Sequence, residues 1–150
     1  MDTWAILFDL DDTLVLTSAL EMMRQKREWS KIYASFYKTK LPEGTHKFIS
    51  DISKFGQLGV VTSSPRTYAE RLLTFHRLDI PVIIAYRDVK HIKPNPESII
   101  KASQKIKIPI QRCIYVGDRK EDILCANQAG IISVGINWLG LLEIQEAKNR

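Results

Sequence analysis

Six side chains in this chain have the types and spacing to do chemistry together: Asp9, Asp11, Thr62, Lys93, Asp118 and Asp122. Carboxylates gathered without a partner repel one another and raise each other's pKa. A hard divalent cation removes that conflict, and a site with few carboxylates and several retained waters suits Mg²⁺. An EF-hand reading of the acids at 9, 11 and 12 is excluded, because Leu14 stands where that calcium loop needs its glycine. A carboxylate beside Mg²⁺ can attack phosphorus and form an aspartyl-phosphate, the role that falls to Asp9. Asp11, two residues on along an extended segment, points the same way. It can protonate the departing oxygen and then take a proton from the hydrolysing water. Charge on the non-bridging oxygens would be met by the hydroxyl and backbone N–H of Thr62 and by the ammonium of Lys93. Ser63 either adds a backbone contact to the phosphate or begins the next turn. Asp12 reads as a solvated turn residue.

Something must bring these distant residues together, and the apolar pattern supplies it. Five short apolar runs, at 4–8, 58–61, 82–86, 113–116 and 131–134, are nearly continuous, as expected of parallel strands covered on both faces. Helical patterns separate them. Residues 41–57 read as a helix before the second strand. Ser64-Pro65 reads as a cap and first-turn proline, Asn95-Pro96 opens a helix in the same way, and Gly130 ends one. Alternation of this kind predicts a doubly wound α/β fold, a Rossmann-like three-layer sandwich with a five-stranded parallel sheet. The candidate residues follow the carboxyl ends of strands, where such sheets bind ligands. Pro94 biases Lys93 toward extended backbone, and the helix start near Pro96 adds a partial positive charge.

The bulk properties limit the classes. The chain has 150 residues, 45% of them hydrophobic and 26% charged, which fits one ordinary globular domain. No apolar stretch reaches the roughly 18 residues of a membrane span. The opening stretch runs into a strand without the basic region of a secretory signal. Cys113 and Cys125 sit in apolar surroundings and read as reduced core residues, so the expected location is cytoplasmic. The net charge of +5 would draw phosphate-bearing molecules without identifying one.

Four motifs in order resemble those of the haloacid dehalogenase-like hydrolase superfamily, in its phosphatase branch. "DLDDT" at 9–13 is similar to the first motif, "VVTSS" at 60–64 to the second, "IKPNPE" at 92–97 to the third, and "VGDRKED" at 116–122 to the fourth. The resemblance covers nearly the whole chain and implies one domain over residues 1–150 with a Rossmann-like core. It implies Mg²⁺ dependence and an aspartyl-phosphate intermediate. Asp9 and Asp11 would be catalytic, Thr62, Ser63 and Lys93 would bind phosphate, and the metal would be held by Asp9, Asp118, Asp122 and the backbone carbonyl of Asp11. Asp11 also narrows the reaction, because members that cleave carbon–halogen bonds and the related ion pumps lack an acid there.

The departure is the lid. Relatives with such motifs usually insert a helical cap between the first and second, and here only residues 17–40 remain for it, enough for one long helix or two short ones. The site should be open or closed by another subunit, so a monomer and a homodimer are both compatible. Within 20–38, Leu20, Met23, Trp29, Ile32 and Phe36 read as packed. Arg24, Lys26, Arg27, Lys31, Lys38 and Lys40 read as a solvated face, with the sharper alternative that Arg24 and Arg27 overhang the site. A small phosphomonoester is the expected substrate, and a phosphorylated nucleic-acid end fits the same chemistry. Two further readings use the same residues, a phosphomutase or phosphotransferase and a non-catalytic phospho-receiver-like module; a basic nucleic-acid-binding domain is a third, without a recognisable binding motif.

Overall fold

The computed structural model describes residues 3–136. The apolar runs form β1 (Trp4–Phe8), β2 (Gly56–Val61), β3 (Val82–Ile84), β4 (Cys113–Gly117) and β5 (Ile132–Gly135). Between them lie α1 (Glu21–Gln25), α2 (Trp29–Ala34), α3 (Thr45–Ile52), α4 (Arg66–Phe75), α5 (Glu97–Ile106) and α6 (Lys120–Ala129). All strand pairs are parallel, in the order β3-β2-β1-β4-β5. The order reverses between β1 and β4, which pair from Ala5–Cys113 to Phe8–Val116. A crevice at the carboxyl end of a sheet opens at such a reversal. Phospho-receiver modules belong to the other doubly wound order, 2-1-3-4-5, so this topology removes that reading.

Alternate residues of each strand go to opposite faces, and the two faces have separate cores. Phe8, Leu58, Val60, Ile83 and Val116 pack with Ile49 of α3 and with Tyr68, Ala69, Leu72 and Leu73 of α4. Ala5, Leu7, Val61, Ile84, Cys113 and Tyr115 pack with Ile99, Ala102 and Ile106 of α5 and with Cys125 and Ala126 of α6. The result is the expected three-layer sandwich. Both faces are dry, which is why the runs lack polar alternation. Each large aliphatic side chain sealed here, such as Leu7, Leu72 or Ile99, contributes about 1.5–3 kcal/mol through burial.

Several boundaries differ from expectation for local reasons. The stretch 41–57 is not helical throughout. Gly44 adopts the left-handed conformation (φ 80°) and α3 runs only from Thr45 to Ile52. The second strand starts early, at Gly56, where any Cβ would overlap the Trp4 carbonyl across the sheet. The third strand ends at Ile84, because residues Tyr86–Asp88 form a 3₁₀ turn. Pro65 is extended (ψ 148°) and stands before the helix, which opens at Arg66; Ser64 does not cap it. Asn95 does serve its helix, its Oδ1 accepting the Glu97 N–H at 2.9 Å.

Residues 17–40 form α1, α2 and the 3₁₀ turns Ser18–Leu20 and Phe36–Lys38. They are tied back by an antiparallel bridge between Leu16 and Lys40. Leu20, Ile32 and Phe36 are buried, and Met23 and Trp29 pack partly against the same core. The segment is therefore an extension of the α3–α4 side of the sandwich.

Candidate active site

Asp9 stands one residue past β1 and is still pinned to the sheet, its N–H donating to the Val116 carbonyl at 2.8 Å. The chain then folds sharply: the N–H groups of Thr13, Leu14 and Val15 all point at the Leu10 carbonyl. Asp12 takes a left-handed conformation (φ 60°) in this turn and its Oδ1 accepts the Thr17 N–H at 3.0 Å. It is thus a half-buried structural turn residue, less solvated than expected.

On the adjacent strand, Gly117 ends β4 and Asp118 follows. Asp118 Oδ1 accepts a hydrogen bond from Thr13 Oγ1 at 3.2 Å, which joins the two loops. Asp122 lies in the first turn of α6 and is 2% exposed. Its Oδ2 accepts the Arg119 N–H at 3.1 Å, a helix-start bond, while its Oδ1 turns into the site. The same carboxylate thus serves the start of α6 with one oxygen and faces the other acids with the second. Only glycine fits at 117, since a Cβ there would lie 2.5 Å from the Asp122 Cβ.

Asp9, Asp118 and Asp122 each place a carboxylate oxygen within 4.8 Å of the others, a trio that could hold a metal ion. Burial drives the Asp9 carboxyl well above its ordinary value; Lys93 opposes this, and the charge of Asp122, a hydrogen bond with Asp118 and the charge of Asp11 add to it. The donor set is all oxygen and all carboxylate, and it is crowded enough that a hard divalent cation relieves it, so the residues fit such an ion. The Asp11 carboxylate is not one of the three.

Lys93 reaches the trio from the loop before α5. Its side chain is 7% exposed, and Nζ donates to Asp9 Oδ1 at 3.1 Å and to Asp122 Oδ1 at 2.7 Å. Burial works against the ammonium, but these two acids outweigh it and hold the pKa above the ordinary lysine value. Nζ also donates to the Tyr115 hydroxyl, which itself donates to Asp122 Oδ1 at 2.8 Å. Glu97 organises the loop that presents Lys93, accepting the N–H groups of Lys90 and His91, each at 2.9 Å.

Thr62 follows β2, but one expected contribution is missing. Its N–H is spent on the Ile84 carbonyl at 2.9 Å, because the β2–β3 ladder continues through it. Its hydroxyl oxygen accepts the Ser64 N–H at 3.0 Å and keeps its proton to donate. Ser63 is exposed and lines the cleft beside it. The cleft encloses about 150 Å³ and is lined by Asp9, Asp11, Thr62, Ser63, Lys93 and Asp122, joined by Arg24, Ser64, Arg119 and Glu121. Five of the six expected side chains therefore meet in one cleft, and the sixth, Asp118, touches it through Asp9.

The surroundings of Asp11 were not foreseen. Its Oδ1 accepts from Thr17 Oγ1 at 2.8 Å and Tyr68 OH at 2.6 Å, and its Oδ2 accepts from Ser64 Oγ at 2.8 Å. Arg24 Nη1 lies 3.1 Å from Oδ1. Of the two readings of this basic segment, Arg24 follows the overhanging one: its guanidinium turns inward, 5.2 Å from the Tyr68 ring centre, while Arg27 stays exposed. Two signals in the sequence bear on these residues. Ser64 stands two positions after Thr62, on the same side of an extended chain, and Tyr115 is a lone phenol in an apolar run, which needs a buried partner.

Comparison with known proteins agrees with this geometry. Residues 18–136 match the sequence profile described as haloacid dehalogenase-like hydrolase. A relative from Caldanaerobacter subterraneus, provisionally named pyrophosphatase PpaX, is 32% identical over 120 residues, covering 78% of this chain and 54% of its own. The chain spans about half the length of the curated relatives it matches. Among solved structures, a subfamily IA hydrolase of this superfamily from Geobacter sulfurreducens superposes with a TM-score of 0.74 at 20% identity, covering 89% of each chain. A protein from Thermotoga maritima, provisionally named β-phosphoglucomutase, gives 0.78 at 20% identity, over 95% of this chain and 91% of that one. With its sheet order, its strand-end acids and a profile match over most of its length, the chain belongs to the haloacid dehalogenase-like hydrolase family.

Proposed function

We propose that this chain is a Mg²⁺-dependent phosphohydrolase acting on a small phosphate ester or anhydride through an aspartyl-phosphate. The observation that carries the reading is the convergence of Asp9, Asp118 and Asp122 oxygens within 4.8 Å at the β1/β4 crevice, with Lys93 on Asp9. The ion would be held by Asp9, Asp118, Asp122 and the Asp11 carbonyl, and when bound it supplies neutralisation of charge on the phosphoryl oxygens.

In the first step an Asp9 oxygen attacks phosphorus and the bond to the leaving oxygen breaks, Asp11 giving that oxygen its proton. In the second, Asp11 takes a proton from water, which attacks the same phosphorus and releases Asp9 and inorganic phosphate. Lys93 and the Thr62 hydroxyl hold the non-bridging oxygens, and Ser63 completes their cradle. Residues 17–40 form a small cap-like cover of short helices within a single domain. That cover leaves the cleft open to water, which favours hydrolysis over re-transfer of the phosphoryl group to a second acceptor. The small cleft favours a small substrate over a nucleic-acid end. The name of the Caldanaerobacter relative supports phosphate release from a compact substrate. A cytoplasmic setting is supported by Cys113 and Cys125, both buried and unbridged. Among the described residues no helix is long and apolar enough to cross a membrane.

Hydrolysis of 4-nitrophenyl phosphate with Mg²⁺, and with a chelator in its place, tests the reading. Turnover is expected only with the ion, and D9N is expected to retain less than about a thousandth of it. Equal rates with the chelator, or an active D9N protein, would defeat the proposal.

A further inference from the structure

Arg24 enters the cleft from the segment that replaces a full cap, and it is held there on three sides. Nη1 sits 3.1 Å from Asp11 Oδ1, Nη2 donates to Ser64 Oγ at 2.8 Å, and the guanidinium carbon lies 5.2 Å from the Tyr68 ring centre. A guanidinium carries five N–H donors in a rigid fork, and these contacts occupy two of its nitrogens without using every donor. Its side chain is 25% exposed and lines the cleft, so the remaining donors have access to a bound molecule.

We infer that Arg24 is the specificity-determining residue for the leaving group and that the substrate carries an oxyanion there, a phosphate or a carboxylate close to the bond that breaks. The inference rests on the proposed role of Asp11. Whichever oxygen Asp11 protonates belongs to the leaving group, and Arg24 is in direct contact with Asp11. Lys93 stands with Asp9, the residue that receives the transferred phosphoryl group, and its ion pairs among the described residues go to Asp9 and Asp122, not to Asp11. The charge from Arg24 therefore falls on the departing fragment. A planar fork takes a phosphate or carboxylate through paired hydrogen bonds. Because Asp11, Ser64 and Tyr68 already immobilise the side chain, little rotamer freedom is left to lose on binding. A neutral alcohol as leaving group would gain nothing from this arrangement.

The test compares three probes with Mg²⁺ present: inorganic pyrophosphate, phosphoglycolate and glycerol 2-phosphate, which offer a phosphate, a carboxylate and a neutral alcohol on the leaving side. The wild type should favour one of the two anionic probes over glycerol 2-phosphate by at least about tenfold in kcat/KM, and which one identifies the anion. In R24Q that ratio should collapse by about ten- to a hundredfold, the range of a lost charge-assisted contact. R24K keeps the charge without the fork and should fall between them. If R24Q melts at a much lower temperature, the R24K ratio decides. A ratio unchanged in these variants, or a wild type that prefers glycerol 2-phosphate, overturns the inference while leaving the phosphohydrolase reading intact. No turnover of any probe by the wild type defeats both.

Discussion

Replacing Tyr115 by phenylalanine removes a single oxygen from the centre of the site and leaves the ring in place. Tyr115 is fully buried, and its hydroxyl donates to Asp122 Oδ1 at 2.8 Å, closer than the Val61 carbonyl at 3.3 Å. It also accepts from Lys93. Burial, with the negative charges of Asp9 and Asp122, pushes the phenol pKa well above its ordinary value, so the hydroxyl keeps its proton through the neutral range. Because phenylalanine fills the same volume, no cavity term enters, and the loss is that of a hydrogen bond to a charged group, about 1.5–3 kcal/mol. Asp122 keeps Lys93 and the Arg119 N–H, which places the expected value near the middle, about 2 kcal/mol. With a urea slope of about 2 kcal/mol per molar, the unfolding midpoint should fall by about 1 M. Activity should fall as well, mainly in kcat, because Lys93 loses an acceptor that fixes its ammonium beside Asp9. A midpoint shift below about 0.3 M, with kcat unchanged, would show that the Lys93–Tyr115–Asp122 network does not hold the site together.

Other perturbations follow from the same geometry. G117A places a Cβ 2.5 Å from that of Asp122 and should displace this acid, weakening Mg²⁺ binding measured by calorimetry and costing about 1–3 kcal/mol in thermal unfolding. K93M leaves Asp9 and Asp122 without their shared cation and should lower kcat by about a hundredfold or more in a steady-state assay; a loss of under threefold would refute its role. The Glu97 carboxyl is held at about 2, chiefly by the Lys90 N–H and further by His91 and Lys101. Between its unfolded value of about 4.3 and 2 the unfolded chain binds the extra proton, so stability rises with pH there. The advantage of the wild type over E97Q should therefore be complete above about pH 5 and disappear as pH falls toward 2, as read by urea midpoints across that range. An advantage independent of pH would contradict the assignment.

Strand-end chemistry was legible in the sequence because it depends on local position. Asp9 and Asp118 each follow an apolar run, and once the runs are parallel strands, the sheet order alone sets them side by side. Lys93 was legible through its place before a helix start. What escaped depends on tertiary contacts that periodicity does not encode. Arg24 was legible only as an alternative, among other bases on what looks like a wet helical face; its ion pair with Asp11 and its seat over the Tyr68 ring were not. Ser64 looked like a cap because Pro65 follows it, but its hydroxyl is taken by Asp11, 53 positions away. The Thr62 N–H was assigned to phosphate without knowing that β3 would claim it.

In turnover Asp9 must carry the phosphoryl group. Acid quenching during the reaction with Mg²⁺, followed by peptide mass analysis, should find one phosphoryl group on the peptide containing Asp9, absent without Mg²⁺ and absent from D9N. Steady turnover with the phosphoryl group on another peptide, or an unchanged yield in D9N, would contradict it.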